Sequence, residues 1–142
     1  GHRKCGVSLS PVEAERLGGI CPVCGKKLTM GVDHRVEQLA DREEGFVKKD
    51  GKKYESLVPL PEVVAACMGY STASKKVQGG FEQMMQTLGT EFDILRNVPA
   101  EDIKSCAGER IAEGIENVRT GNVKRIPGYD GEYGKIQLFD EN

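Results

Sequence analysis

The sequence predicts an α+β protein that is mainly helical, with an N-terminal segment organised around cysteines and a short β-hairpin near its C-terminus. Three observations support this prediction. Two short Cys-Gly motifs occur within the first 25 residues, a repeated segment has helical spacing, and two extended runs flank a glycine-rich stretch near the end. We expect a domain over 1–45, a linker over 46–58 and a helical domain over 59–142 that includes a β-like tail.

Composition limits the size of the core and the classes of partner. At 142 residues, with 38% hydrophobic residues and no Trp, the chain can bury one modest core or two small ones. A net charge of −2 gives no overall attraction to polyanions, so a nucleic-acid surface would have to be local. We find no membrane span or signal peptide. Five cysteines that fit no disulfide framework suit a reducing compartment. We therefore expect a soluble, cytoplasmic protein.

The two Cys-Gly motifs have the form of metal-binding knuckles. The first is His2-Arg3-Lys4-Cys5-Gly6 and the second is Cys21-Pro22-Val23-Cys24-Gly25. Each presents two ligands three residues apart and then a glycine where the chain turns back. Zn²⁺ prefers four nitrogen or sulfur ligands in a tetrahedron. The sequence therefore predicts a zinc ribbon held by His2, Cys5, Cys21 and Cys24, and four protein ligands indicate a structural site.

Other readings of the cysteines remain open. A C-x-x-C pair can be a redox dithiol, but that use expects a preceding strand and a helix opening at the first Cys. Here Gly18-Gly19 come before the pair and a β-like run over 27–30 follows it. His2 lies beside the first residue, so the fourth ligand could instead be His34 or a residue outside this sequence. Cys67 and Cys106 lie in apolar surroundings and are expected in the core.

A helix and a lysine-rich loop are predicted after the knuckles. Asp33 can cap a helix that carries Val36, Leu39 and Ala40 on one face and ends by Gly45. The stretch 46–58 contains Lys48, Lys49, Lys52 and Lys53 around a turn dipeptide. Such a charge run is either a solvated loop or a contact with phosphate.

An internal repeat predicts two helical hairpins. The segment 62–69 aligns with 101–108 at an offset of 39 residues, and both copies share Glu, Cys and Gly. Ala73 follows the first glycine by four residues, and Ala112 follows the second by the same distance. Glycine permits a tight connection and alanine permits close approach of the second helix.

This pattern resembles the helix-hairpin-helix family, in which backbone amides and a helix N-terminus contact DNA phosphates. The second copy matches at Gly108, Ala112 and Ile115, whereas Cys106 replaces an expected glycine. In the first copy, Ser71 and Thr72 can cap the incoming helix, and Lys75 and Lys76 lie in its first turns. The hypothesis of DNA contact covers Gly69, Ser71, Thr72, Lys75, Lys76, Gly108 and Arg110. The alternative is that the repeat only reflects how two hairpins pack.

The C-terminal stretch is expected to form two short strands, 122–126 and 135–139, around the loop 127–134. Tyr129 and Tyr133 lie in this loop. They could stack on an exposed base or pack the loop onto the helical body.

Taken together, these motifs resemble the endonuclease Q family. The resemblance rests on segments in conserved order along the chain, at 5–10, 17–26, 31–42, 57–62, 74–77 and 127–135. It corresponds to the C-terminal zinc-binding and helical region of proteins that also carry an N-terminal PHP phosphoesterase domain. Family members nick DNA on the 5′ side of deaminated bases, and relatives often carry a UvrD-type helicase label.

The resemblance implies a region without the catalytic chemistry. A PHP site needs several His and carboxylate ligands, but this chain has only two His. A helicase motor needs a G-x-x-x-x-G-K-[ST] phosphate loop, and the sequence contains none. The implied role is a DNA-binding, damage-recognition accessory region whose partners are damaged duplex DNA and the PHP domain. The alternative is a protein–protein docking module. An independent enzyme is disfavoured because no base and nucleophile are paired at suitable spacing.

Overall fold

A computed structural model describes residues 1–139 and divides the chain into two units. Unit 1 comprises Gly1–Lys53 and Pro127–Lys135, and unit 2 comprises Tyr54–Ile126 and the segment from Ile136 onward. Within the described residues, no helix is both long and apolar enough to cross a membrane.

Helices dominate the described residues, as predicted. After a single 3₁₀ turn at Arg3–Cys5, they are α1 (Pro11–Arg16), α2 (Val32–Leu39), α3 (Leu60–Met68), α4 (Lys75–Leu88), α5 (Glu91–Arg96), α6 (Ala100–Ala107) and α7 (Glu109–Arg119). Strands β1 (Lys124–Ile126) and β2 (Lys135–Gln137) pair as a two-stranded sheet. The predicted fold class is confirmed, although both strands are shorter than the predicted runs 122–126 and 135–139.

The core of unit 2 is built from α3 to α7. Helix α3 packs on α4 and α7, α6 packs on the same two helices, and α5 fills the remaining side against α4 and α7. The innermost side chains, with no exposed area, are Leu60, Val63, Val64, Val77, Met84, Ile94, Ile103 and Ile115. The close approach of α3 and α7 depends on Gly114, because a Cβ there would overlap the Cys67 sulfur.

The first helices of the two repeated hairpins, α3 and α6, are alike, but the connections that follow them differ. Gly69 ends α3 with a φ of +71°, and α4 begins only at Lys75. Gly108, with a φ of +94°, leads directly from α6 into α7. Ala112 is therefore buried in α7, whereas Ala73 lies exposed in the connection before α4. The expectation that both alanines allow close helix approach holds only for Ala112.

Helix α5 separates the two hairpins and was not anticipated from the sequence. Thr90 caps it by accepting a hydrogen bond from the Asp93 amide at 3.3 Å. The guanidinium of Arg119 donates to the carbonyls of Ile94, Leu95 and Val98 at its C-terminal end, at 2.6–3.1 Å. Arg119 thus fixes the position of α5.

Unit 1 has a much smaller core, in which only Ala14, Cys21 and Leu28 are buried. Helix α1 begins with a capping box between Ser10 and Glu13. A core of this size leaves the fold dependent on another source of stability.

The helix predicted after Asp33 forms as α2 and ends before Gly45, as expected, but its cap and its last predicted apolar residue differ. Its N-cap is Gly31 and not Asp33, and it ends at Leu39 because Ala40 adopts an extended conformation. Val36 and Leu39 lie on the helix as expected, and they are 60% and 65% exposed. The periodicity was real, but no element of unit 1 covers this face.

The segment 127–135 also departs from the predicted boundaries. The sequence interpretation grouped it with the helical domain 59–142, whereas the structure groups it with the N-terminal residues. The reason is a set of hydrogen bonds to Asp130 from residues of the N-terminal segment, described below.

Candidate metal centre and candidate nucleic-acid interface

The two knuckles form as matched turns in unit 1. Cys5 closes the 3₁₀ turn and Gly6 follows with a φ of +62°, while Gly25 follows Cys24 with a φ of +70°. The Gly6 amide donates to the Arg3 carbonyl at 3.0 Å, and the Gly25 amide donates to the Cys21 carbonyl at 2.9 Å. Both glycines occupy the left-handed region, which explains their place in the two motifs.

The knuckles bring four ligand atoms together. Those of His2, Cys5, Cys21 and Cys24 all lie within 4.8 Å of one another, and Cys24 Sγ lies 3.4 Å from His2 Nδ1. Two ligands of one tetrahedral zinc, with Zn–S near 2.3 Å and Zn–N near 2.0 Å, stand roughly 3.5 Å apart. The group can therefore hold a metal ion, and its donor set suits zinc.

The electrostatics of the cluster favour a thiolate at one position. Burial acts to raise the pKa of Cys21, but hydrogen bonds from the backbone amides of Cys24 and Val23 and from the Cys24 and His2 side chains lower it to about 6. Burial and the neighbouring thiols raise the pKa of Cys5 to about 11. A bound cation would favour the thiolate at every cysteine of the group.

His34 is not part of this cluster. Its Nε2 lies 3.2 Å from the side-chain nitrogen of Gln38, and its buried Nδ1 has no hydrogen-bond partner. The alternative that His34 serves as the fourth ligand is thus not supported, and His2 occupies that place.

A turn from the C-terminal segment braces the first knuckle. Asp130 accepts hydrogen bonds from the Arg3 backbone amide and from Thr29 Oγ1, both at 2.6 Å. These two donors hold the pKa of Asp130 below its ordinary value. Arg3 also pairs with Glu132 at 2.7 Å. Asp130 itself has a φ of +45°. Sequence reasoning noted the turn but missed Asp130, because nothing local reveals a partner more than 100 positions away.

The two tyrosines of this turn have different surroundings. Tyr133 is 95% exposed. Tyr129 is half-buried in unit 1 and lines a cavity of about 620 Å³ together with Met30 and His34. Its ring lies close to Gly1, where an added Cβ would meet Tyr129 Cδ2 at 2.8 Å. Tyr129 is thus used in packing, while Tyr133 is available for an external contact.

The N-terminus of α4 is the clearest anion-compatible feature of unit 2. Ser74 caps the helix by accepting from the Val77 amide at 3.3 Å. The first-turn amides of Lys75 and Lys76 have no intrahelical acceptor, because they lie at the start of the helix. The Lys76 ammonium donates to Tyr70 Oη at 3.0 Å and lies 4.7 Å from the centre of that ring. Lys75 is exposed. Two cations and a positive helix end therefore coincide here.

The sequence suggested that Ser71 and Thr72 cap α4, but neither residue does so. Ser71 Oγ accepts from the Ala73 amide at 3.3 Å, and the Thr72 carbonyl accepts from the Gln78 side chain at 2.8 Å. Both residues shape the turn that leads to the actual cap, because α4 begins later than the repeat implied. Gly69 contributes the left-handed end of α3.

The second hairpin offers less to an anion. Gly108 opens α7, but its first turn carries Glu109, which pairs with Lys104 at 2.7 Å. Arg110 donates from Nε to the Cys67 carbonyl at 2.8 Å, and its guanidinium lies 4.3 Å from the Phe139 ring centre. The Arg110 side chain is thus bound to other residues of unit 2.

The cysteines of the helical repeat belong to the core. Cys67 is 4% exposed, and burial raises the pKa of its thiol to about 11. Cys106 is half-buried and packs against the same cluster. Cys67 therefore lacks the exposure and the low pKa of a reactive thiol, and Cys106 is used in packing.

The chain is similar in sequence to parts of longer proteins. The family described as MJ0043 C-terminal domain matches residues 59–122. The uncharacterized protein MJ0043 of Methanocaldococcus jannaschii is 33% identical over 137 residues, which are 95% of this chain and 17% of that protein. The uncharacterized protein YqxK of Bacillus subtilis is 30% identical over 118 residues, which are 82% of this chain and 27% of that protein.

Two solved structures match almost the whole chain. The lesion-specific endonuclease PfuEndoQ of Pyrococcus furiosus is 32% identical with a TM-score of 0.79, over 97% of this chain and 34% of its own. Endonuclease Q bound to a 27-mer duplex substrate with an abasic lesion at the active site is 31% identical with a TM-score of 0.80, over 96% of this chain and 34% of its own. The chain thus spans about a third of these nucleases.

Proposed function

Because the chain belongs to the endonuclease Q family, we propose that it is a DNA-binding, damage-recognition accessory region of a repair endonuclease that acts at deaminated bases. The observation that carries this proposal is the match along almost the whole chain to an enzyme solved with a lesion-containing duplex. In this proposal the catalytic chemistry belongs to a PHP domain, and this region holds the DNA.

The metal is proposed to be structural zinc. His2, Cys5, Cys21 and Cys24 would fill its four positions, so the ion would bind no substrate and would supply folding energy to unit 1. The three buried residues of that unit support this role, since they are too few to hold the unit together alone. The ion would fix both knuckles and the C-terminal turn bonded to Arg3.

The proposed contact with DNA uses phosphates and not base edges. At the start of α4, exposed Lys75, the ammonium of Lys76 and two first-turn amides can converge on one phosphate. Gly69, Ser71 and Thr72 would shape the approach to this site. Tyr133, which is almost fully exposed, is the better candidate of the two tyrosines for stacking on a base. Gly108 and Arg110 would serve the second hairpin mainly through packing.

Paired alanine variants test this contact. Lys75→Ala with Lys76→Ala should weaken binding to every duplex by a similar factor and reduce the slope of log K against log salt by about 1.8, because each phosphate contact contributes about 0.9. Lys104→Ala with Lys124→Ala removes the same charge elsewhere in unit 2 and should leave the slope nearly unchanged. Equal slopes for the two double variants would exclude α4 as the contact.

One observation favours the second candidate, a protein–protein docking module. Val32, Val36 and Leu39 follow one another at helical spacing on α2, and all three are at least 60% exposed. An apolar stripe of this kind is typical of a face that packs against another protein or domain. Under this alternative, binding to the isolated catalytic domain would be insensitive to salt and would be lost in Val36→Asp.

A further inference from the structure

Four lysines surround one β-turn in unit 1, and we call residues 48–53 the lysine turn. The Gly51 amide donates to the Lys48 carbonyl at 2.9 Å. This bond defines a four-residue turn that holds its first and last Cα atoms within about 7 Å. The lysines are Lys48, Lys49, Lys52 and Lys53, and Asp50 is the only acidic residue among them. Every residue of the turn is exposed.

The ammonium groups of the lysine turn have no carboxylate partners. Among residues 1–139, no ion pair involves any of the four lysines, although Arg3, Arg96 and Lys104 each pair with a carboxylate elsewhere. The preceding Glu43 and Glu44 form no ion pair with them either. The four lysines lie within six consecutive residues, so an external polyanion could bind them without breaking any internal ion pair.

The surface beside the turn adds an exposed aromatic ring and a further cation, Arg42, which pairs with Asp41 at 3.4 Å. Phe46 is 61% exposed, and the guanidinium of Arg42 lies 4.9 Å from its ring centre. Val47 is 81% exposed. The backbone amide of Phe46 donates to the Glu43 carbonyl at 3.2 Å, which fixes the entry to the turn. Residues 42–53 thus carry five cations and three carboxylates, all exposed, for a local net charge of +2 although the whole chain has a net charge of −2.

We infer that the lysine turn is a second phosphate-binding surface, which contacts the DNA backbone in addition to the start of α4. Lysine suits this role because a compact ammonium binds phosphate as a point charge without reading sequence. The inference rests on the proposed DNA-binding function and adds to it a specific set of contacts in the other unit.

Salt dependence of duplex binding tests the inference. In the zinc-loaded chain, Lys48, Lys49, Lys52 and Lys53 are changed together to Gln, and in a second variant to Arg. A charge-matched control changes Lys27, Lys104, Lys124 and Lys135 to Gln. Binding to an undamaged duplex is measured at several salt concentrations, and helical circular dichroism verifies the fold. Because the turn is exposed and has no ion pairs, each variant should fold as the parent does.

We expect the Gln variant to lose at least about 2 from the slope of log K against log salt, while the Arg variant retains the parent slope and the control changes it by less than about 1. A parent that binds DNA together with a Gln variant of equal slope would overturn the inference and leave the proposed function standing. A parent that does not bind DNA would overturn both. Loss of binding to anionic phospholipid vesicles with unchanged DNA binding would assign the turn to a membrane surface and overturn the inference as well.

Discussion

Thr29 and Asp130 are joined by a hydrogen bond of 2.6 Å, although 101 positions separate them in the sequence. The second carboxylate oxygen of Asp130 accepts from the Arg3 amide, between the two ligand positions of the first knuckle. A single carboxylate therefore binds the C-terminal turn both to the first knuckle, through Arg3, and to the residue Thr29 after the second knuckle. The metal centre and the loop that carries Tyr133 are thus mechanically connected within unit 1.

Asp130→Asn should weaken metal binding. An amide presents an N–H group where the carboxylate accepted two hydrogen bonds, so one donor of Arg3 or Thr29 loses its partner. We expect zinc affinity to fall by about tenfold, the lower end of the range for groups that support a metal ligand from outside. A competition titration with a chromophoric chelator measures it.

Glu132→Gln is the matched control, because it removes the exposed ion pair to Arg3 in the same turn. Such pairs contribute little, so its zinc affinity should stay within about twofold of the parent. Equal affinities for the Asp130 variant and the parent would show that the turn does not support the knuckle.

Cys21→Ser should release the metal and unfold the knuckles while leaving unit 2 folded. The cores of the two units share no buried residue, and the core of unit 2 contains far more apolar side chains. We expect zinc content to fall to near zero while most of the helical circular dichroism remains, since five of the seven described helices lie in unit 2. Loss of the whole helical signal would show that the two units fold as one cooperative structure.

Gly114→Ala should destabilise unit 2 by about 1–3 kcal/mol, because the added Cβ would overlap the Cys67 sulfur where α7 crosses α3. Urea denaturation followed by circular dichroism measures the change. Cys67→Ala in the same chain should relieve the overlap, so the two substitutions together should cost at least about 1 kcal/mol less than their sum.

Gly79→Ala is the control for helix propensity. It adds a Cβ in α4 where no atom lies within 4 Å, so it should stabilise the protein by about 0.5–1 kcal/mol. A Gly114 variant as stable as the Gly79 variant would contradict the close approach of α3 and α7.

Asp93→Asn should alter the pH dependence of stability. Hydrogen bonds from the Thr90 and Asn97 side chains lower the pKa of Asp93 in the folded chain. A lowered folded pKa adds stability that is present above the unfolded value of about 3.9 and is lost as pH falls through the folded value. The parent should therefore be more stable than the variant at pH 6–7, and the difference should shrink below about pH 4.

Urea denaturation of the parent and the Asp93 variant at the same series of pH values measures this difference, and effects of metal release cancel in the comparison. A parent–variant difference that stayed constant down to pH 3 would show that Asp93 does not titrate as described.

Local sequence patterns were sufficient for the features that depend on local chemistry. The knuckle spacing predicted the cluster of His2, Cys5, Cys21 and Cys24, because ligand pairs three residues apart and a following glycine define the geometry by themselves. The repeat predicted the two hairpins, because Gly69 and Gly108 mark the ends of α3 and α6.

Features that depend on distant partners could not be read from the sequence. Asp130 and Arg119 look like ordinary surface residues until the fold brings Arg3, Thr29 and the carbonyls of α5 to them. The cap of α4 was assigned to Ser71 and Thr72, whereas Ser74 is the cap, because the length of the turn before the helix cannot be read from the sequence. The apolar periodicity of α2 identified a face but could not tell whether another element covers it, because burial depends on what else packs there.

The most direct measurement of the central claim is a titration of the zinc-loaded chain against matched duplexes, one undamaged and one with a single deoxyuridine, at two salt concentrations. The account predicts tighter binding to the damaged duplex, and affinity for both that falls steeply as salt rises, because phosphate contacts release counterions. Equal affinity for the two duplexes would contradict damage recognition by this region. The absence of binding to either duplex would contradict its role in holding DNA and favour the docking alternative.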